Sequence, residues 1–312
     1  MKAQSNWIFS PEEVRFSPSV LAGQSRRMEI QLRMRAVWRL VELKETLRAP
    51  QLTVLTAAVF LHRYFMRKPI AESAKKLNEL AAAAFFLASK VEECTMTIAL
   101  VALAVHDIDQ SIANTIERWQ ARGSTPATQQ TLESPELEEF RKKILSHEES
   151  LLRELTFDLD LVHPHTSFFD TCERLKSWND TLKTEYPNMV TIGMFILNDS
   201  AYTTACLLYT PEEIAASVLV MTFAQLGLEL PSRQTTINVT PPEEGEEMIE
   251  TDTTTYWLEY FDANKEKIIA CIGTLGSLYE NIADDFVKQE SDKLLREALR
   301  LAQTIPNSDI AK

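Results

Sequence analysis

Four residues in the run Phe157-Asp158-Leu159-Asp160-Leu161-Val162-His163-Pro164-His165 carry side chains of the kind that bind metal: Asp158, Asp160, His163 and His165. Carboxylates and imidazoles are ligands that zinc accepts. Pro164, however, interrupts any helical spacing, and no second cluster completes a coordination sphere. The run is read as a connector between two folded parts. The four cysteines, Cys94, Cys172, Cys206 and Cys271, lie far apart without a C-x-x-C pair, the spacing of reduced core thiols and not of a disulfide framework. No G-x-S-x-G, H-E-x-x-H, G-x-x-x-x-G-K-[ST] or G-x-G-x-x-G occurs, so nothing in the sequence points to an enzyme site or a cofactor.

Two charged positions break the apolar pattern of their own segments. Leu80 to Ala88 is nine apolar residues in succession, and the run then gives Ser89-Lys90-Val91-Glu92-Glu93. Further on, a helical wheel places Ile144, Leu145, Leu151, Leu152 and Leu155 on one face, with Glu148 near its middle and Glu149 at its edge. A carboxylate in an apolar stripe is costly unless it is paired inside the chain, is protonated, or faces a surface that another protein covers. Lys90 allows three readings at this point: a side chain reaching to solvent near a helix C-terminus, an internal partner of Glu148, or half of an interface for a second protein.

The elements that carry these residues are helical. Only 7 glycines occur, and the 13 prolines cluster at segment edges, which leaves long stretches uninterrupted and little turn chemistry for strands. The fold class is all-α. Residues 1 to 23 form an arm in which Ser10-Pro11-Glu12-Glu13 offers an N-cap, an N1 proline and early acids. Helices follow from about Ser25 to Leu47 (Ile30, Met34, Val37, Trp38 and Val41 apolar), 51 to 66, 72 to 92, 96 to 106 and 135 to 155. The third is apolar on every side at its centre and must be surrounded by other helices. A second group is expected near 166 to 178, 188 to 205, 211 to 227, 253 to 264 and 265 to 282. The polar stretches 107 to 134 and 231 to 252 read as surface loops, with Glu243-Glu244-Gly245-Glu246-Glu247 solvated. The organisation predicted is an arm (1–23), a five-helix unit (24–160), a second (161–284) and a C-terminal helix with tail (285–312).

Composition limits the partners. At 312 residues, 45% hydrophobic and 25% charged, the chain can bury a large core. Its net charge is −13, and no basic cluster exceeds Arg141-Lys142-Lys143, so a direct grip on nucleic acid is not expected. The sequence opens with no secretory signal, and its apolar runs are far shorter than the ~18 residues of a membrane span. An intracellular protein without membrane contact is expected.

Leu87-Ala88-Ser89-Lys90-Val91-Glu92-Glu93 resembles the end of the third helix of the cyclin box. His147 to Leu159, HEESLLRELTFDL, resembles its fifth helix and exit, and Leu61 to Met66, LHRYFM, the end of its second. Asn6 to Ser19 and Leu197 to Ala216 further resemble the arm and second box of transcriptional cyclins of the T and K type. The resemblance implies two tandem five-helix cyclin boxes and a non-catalytic, nuclear subunit. Its partner would be a cyclin-dependent kinase of the transcription-elongation type, that of positive elongation factor b or the K-type kinase, with RNA polymerase II reached indirectly. It also implies that Lys90 and Glu148 contact the kinase, with Phe86, Val91, Glu93, Leu152 and Phe157 around them; Phe86 and Phe157 have a second, less favoured reading as core aromatics. One departure is visible. Met34-Arg35-Ala36-Val37-Trp38 stands where cell-cycle cyclins carry M-R-A-I-L, but Val41 replaces the tryptophan further along, so cell-cycle substrate docking is not implied. A two-cyclin-fold general transcription factor, a C-, H- or L-type cyclin and an all-helical enzyme are the alternatives.

Overall fold

The computed structural model describes residues 7–94, 96–110, 135–239, 249–261, 263–280 and 285–306. Residues 111–134, most of the polar stretch 107–134, and the acidic run 243–247 lie outside them. The described chain divides into two units, residues 1–161 with 201–208, and 162–200 with 209–312.

In the first unit the arm forms α1 (Pro11–Arg15) and α2 (Pro18–Leu21), each with a proline in its first turn. At α1, Ser10 and Glu13 make a reciprocal capping box. Trp7 anchors the arm: it is buried, its Nε1 donates to Asp158 Oδ2 at 2.9 Å, and Arg63 and Arg67 lie 5.1 and 5.3 Å from its ring. Five long helices follow: α3 (Arg26–Leu47), α4 (Gln51–Tyr64), α5 (Ala74–Val91), α6 (Ile98–Gln110) and α7 (Pro135–Glu154). Ser25 caps α3 by accepting from Met28 N, and Arg48 ends it in the left-handed region at φ 52°. The buried run Leu80–Ala88 makes α5 the hub, packed against α3, α4, α6 and α7. Its alanines at 81–84 let neighbouring backbones approach closely.

One expectation for α3 is corrected. Trp38 is exposed, although the periodicity placed it with the core. Arg33 of α3 is fully buried. Arg33 Nε donates to Glu29 Oε1 at 2.9 Å, and Nη1 lies 3.2 Å from His62 Nδ1. Because a guanidinium only donates and a carbonyl only accepts, the neutral His62 ring carries its proton on Nε2, which donates to Ala201 O at 2.9 Å. Burial, reinforced by the Arg33 charge, pushes the His62 pKa down to about 3. The segment holding Ala201 continues into a short helix, Ala205–Leu208, which packs on α4, and Phe9 N donates to Leu207 O at 2.7 Å.

The second unit contains α8 (Pro164–Leu175), α9 (Asp180–Ser200), α11 (Pro211–Leu226), α12 (Lys265–Glu280) and α13 (Asp285–Gln303), the label α10 belonging to Ala205–Leu208. Pro187, expected to precede a helix, lies within α9. Gly193 is required there: a Cβ would stand 1.9 Å from Phe168 Cζ. Residues 231–252 are not simply a loop, and 253–264 is not a helix. Strand β1 (Ser232–Val239) pairs antiparallel with β2 (Ile249–Tyr256), from Ser232↔Tyr256 to Val239↔Ile249. A 3₁₀ turn at Trp257–Tyr260 follows. The threonines and isoleucines of both segments favour extended backbone over helix. Apart from this hairpin the described fold is all-α, and α13 packs on α11 and α12. Among the described residues no helix is long and apolar enough to cross a membrane.

Candidate functional site

Helices α5 and α7 pack on each other, and their C-terminal halves bring together the charged positions that broke the apolar pattern. Lys90 and Glu148 form an ion pair with each other. Their surroundings differ: the Glu148 side chain is 8% exposed and that of Lys90 47%. The Lys90 Nζ lies 4.5 Å from the Phe86 ring centroid, so the ammonium sits between a carboxylate and an aromatic face. Glu148 Oε1 is buried without a well-directed hydrogen bond among the described residues. Of the readings open in the sequence, internal pairing is present in the isolated chain, and it occurs at a half-open edge.

Each remaining site residue has a definite place. Phe86 is nearly buried, with its backbone oxygen accepting from Ser89 Oγ at 2.8 Å. Val91 and Leu152 are half-buried and pack on the first-unit core. Glu93 is exposed at φ 53°, just after the α5 C-cap. Phe157 is 68% exposed, which removes the reading of it as a core aromatic. It lies beyond the end of α7 at φ 58°, next to Thr156 at φ 54°. Phe157 N reaches back to Leu152 O at 3.0 Å, closing the helix end and holding the ring outward. Two successive non-glycine residues in the left-handed region are strained, a feature that concentrates at functional sites.

Leu145 departs from the wheel: it is exposed, while Ile144, Leu151 and Leu155 are fully buried. Sequence reasoning also missed Glu79, a buried carboxylate on α5 beside Lys143 and His147 of α7. Glu92 accepts from Thr56 Oγ1 at 2.5 Å and so ties the end of α5 to α4.

Of the candidate metal ligands, Asp158 is the acceptor for Trp7, and the His163 and His165 rings meet edge to face at 6.3 Å. Among the described residues no three His, Cys, Asp or Glu side chains converge as a metal site. Burial pushes the thiols of Cys172 and Cys271 up to about 12 and that of Cys206 to about 11, which keeps them protonated at neutral pH.

Residues 7–160 match the family model described as cyclin, N-terminal domain. Cyclin-T1-5 of Arabidopsis thaliana is 30% identical over 230 residues, covering 73% of this chain and 36% of the relative. Cyclin pch1 of Schizosaccharomyces pombe is 26% identical over 278 residues, covering 89% of this chain and 70% of the relative. The chain thus spans little more than a third of the plant relative. Among solved structures, a chain of the yeast RNA Pol II CTD kinase CTDK-1 complex superposes with a TM-score of 0.61 at 15% identity, over 97% of this chain and 92% of that one. At this identity the likeness concerns the fold.

Proposed function

Because this chain belongs to the cyclin family, with T-type cyclins among its relatives, we propose that it is the non-catalytic regulatory subunit of a cyclin-dependent serine/threonine kinase. The kinase is of the transcription-elongation type, acts in the nucleus and phosphorylates the C-terminal repeats of RNA polymerase II. The observation that carries this reading is the Lys90–Glu148 pair at the joined ends of α5 and α7, flanked by the outward Phe157 ring.

A protein kinase holds ATP correctly only when its β3 lysine pairs with the αC glutamate and its activation loop is ordered. A regulatory subunit achieves this without chemistry of its own, by binding the inward position of αC more tightly than the outward one. The α5–α7 edge suits that task. Phe157 and Leu152 offer apolar anchors, and Glu148 and Lys90 offer opposite charges that reject a misplaced partner.

The test is reconstitution. Mixed with a transcription-elongation kinase, the chain is expected to form a stable complex and to stimulate phosphorylation of a polymerase-repeat peptide. Complex formation with a cell-cycle kinase alone would overturn the assignment. A shift of duplex DNA in a gel would favour the general-transcription-factor alternative, which the net charge of −13 opposes.

A further inference from the structure

We infer that Glu79, Lys143 and His147 form a second charge cluster that fixes the rotation of α7 on α5, making His147 a proton-sensitive positioning residue for Glu148. The inference rests on the proposed docking role of Glu148.

Glu79 lies on the first half of α5, its side chain only 6% exposed and its Oε1 without a hydrogen bond among the described residues. A buried carboxylate in this condition is poorly compensated. Its cationic neighbours come from α7: Lys143 Nζ is 4.0 Å from Oε1 and His147 Nε2 is 3.6 Å from Oε2. Lys143 is shared, since it also bonds Glu139 at 2.7 Å, and Glu139, held below the usual carboxylate range chiefly by that bond, keeps the lysine pKa raised. His147 is 31% exposed and is a cation only when protonated. Its protonation gives Glu79 the full partner it lacks.

The sequence position of His147 gives this cluster its significance. It adjoins Glu148, yet the two side chains reach residues eleven positions apart on α5, Glu79 and Lys90, about 16 Å along the helix. The two contacts have opposite polarity: a cation of α7 meets an anion of α5 at one end, and an anion of α7 meets a cation of α5 at the other. Both contacts join the same two helices through adjacent residues of α7, so a stronger Glu79 cluster restricts the rotation of α7 and with it the orientations of Glu148. Other ionisable groups bear on the cluster weakly. Lys75 of α5 and Lys142 of α7 act on Glu139, and Lys76 of α5 is exposed. The described side chains of α6, residues 98–105 and 108, include none that ionise. From α4, Tyr64 Oη is engaged with Ser150 Oγ at 3.1 Å.

The experiment measures kinase affinity of the full chain at pH 8 and pH 6, the interval in which a histidine gains its proton. A kinase titrated alone by spectroscopy serves as the control for its own pH response. Wild type is expected to bind about two- to fivefold more tightly at pH 6, because more of the chain is in the competent orientation. His147→Gln should abolish the difference, and His147→Lys, with a permanent cation, should bind tightly at both values. Glu79→Gln should be weaker and independent of pH. Equal wild-type affinity at the two values, or a pH response kept by His147→Gln, overturns the inference. If wild type binds the kinase at neither pH, the docking reading fails instead. Amide-exchange protection across α5 and α7 of the free chain then decides the positioning role, supporting it if protection rises toward pH 6 in wild type but not in His147→Gln, and overturning it otherwise.

Discussion

Replacing the two members of the Lys90–Glu148 pair one at a time should separate folding from docking. Lys90→Met keeps an apolar stem against Phe86 but strands the Glu148 carboxylate, which is 8% exposed. An unpaired buried polar group costs about 1–3 kcal/mol, and that loss should be visible in the free chain. Glu148→Gln leaves Lys90, which is 47% exposed and can turn into water. The free chain should then lose no more than about 1 kcal/mol, the worth of a solvent-screened pair. Complex formation reverses the ranking. If the kinase buries this edge, removing Glu148 costs about 2–5 kcal/mol of binding, a Kd rise of roughly 30-fold to several thousandfold. Urea melts of the free variants and titration with kinase measure the two quantities. A Glu148→Gln variant that loses as much stability as Lys90→Met, and whose Kd stays within about threefold of wild type, would show the pair to be an internal staple and refute the docking argument.

Other parts of the fold yield sharper structural tests. The folded His62 pKa of about 3 lies below its ordinary 6.5, so the unfolded chain takes up this proton first and stability is lost as pH falls from about 6.5 toward 3. The stability gap between wild type and His62→Gln should therefore narrow by about 2 kcal/mol between pH 7 and pH 5, read from urea melts. Gly193→Ala drives a methyl into the buried Phe168 ring and should cost at least about 1–3 kcal/mol; Phe168→Leu in the same chain should restore part of the melting temperature. Thr156→Gly relieves a β-branched residue at φ 54° and should stabilise by about 0.5–1 kcal/mol, seen as a higher melting temperature without loss of kinase binding.

Lys90 and Glu148 were legible because each violates the apolar pattern of its own helix, and such violations survive without knowledge of neighbours. Glu79 was not. It stands in the polar turn Lys75-Lys76-Leu77-Asn78-Glu79, where a glutamate looks ordinary until α7 covers it. Glu29 and Arg33, four residues apart, have the spacing of a surface pair, yet both are buried. Periodicity failed in the other direction at Trp38 and Leu145, apolar residues at core-like positions that face outward. The helical boundaries that carry the site fell within a few residues of expectation, since capping serines and flanking prolines are local signals. The hairpin did not, because glutamate and proline pointed to solvent while cross-strand pairing depends on residues far apart in the chain.

The first unit does not end where its sequence first leaves it. Residues 201–208 belong to it, with Ala201 O accepting from His62 and Leu207 O from Phe9 N. During synthesis, residues 1–161 must therefore wait for 39 intervening residues, 162–200, and eight more before these acceptors emerge from the ribosome. A fragment cut at residue 161 would leave the His62 ring proton and the Phe9 amide without these carbonyls, and a nascent chain stalled there would be a natural client for a chaperone.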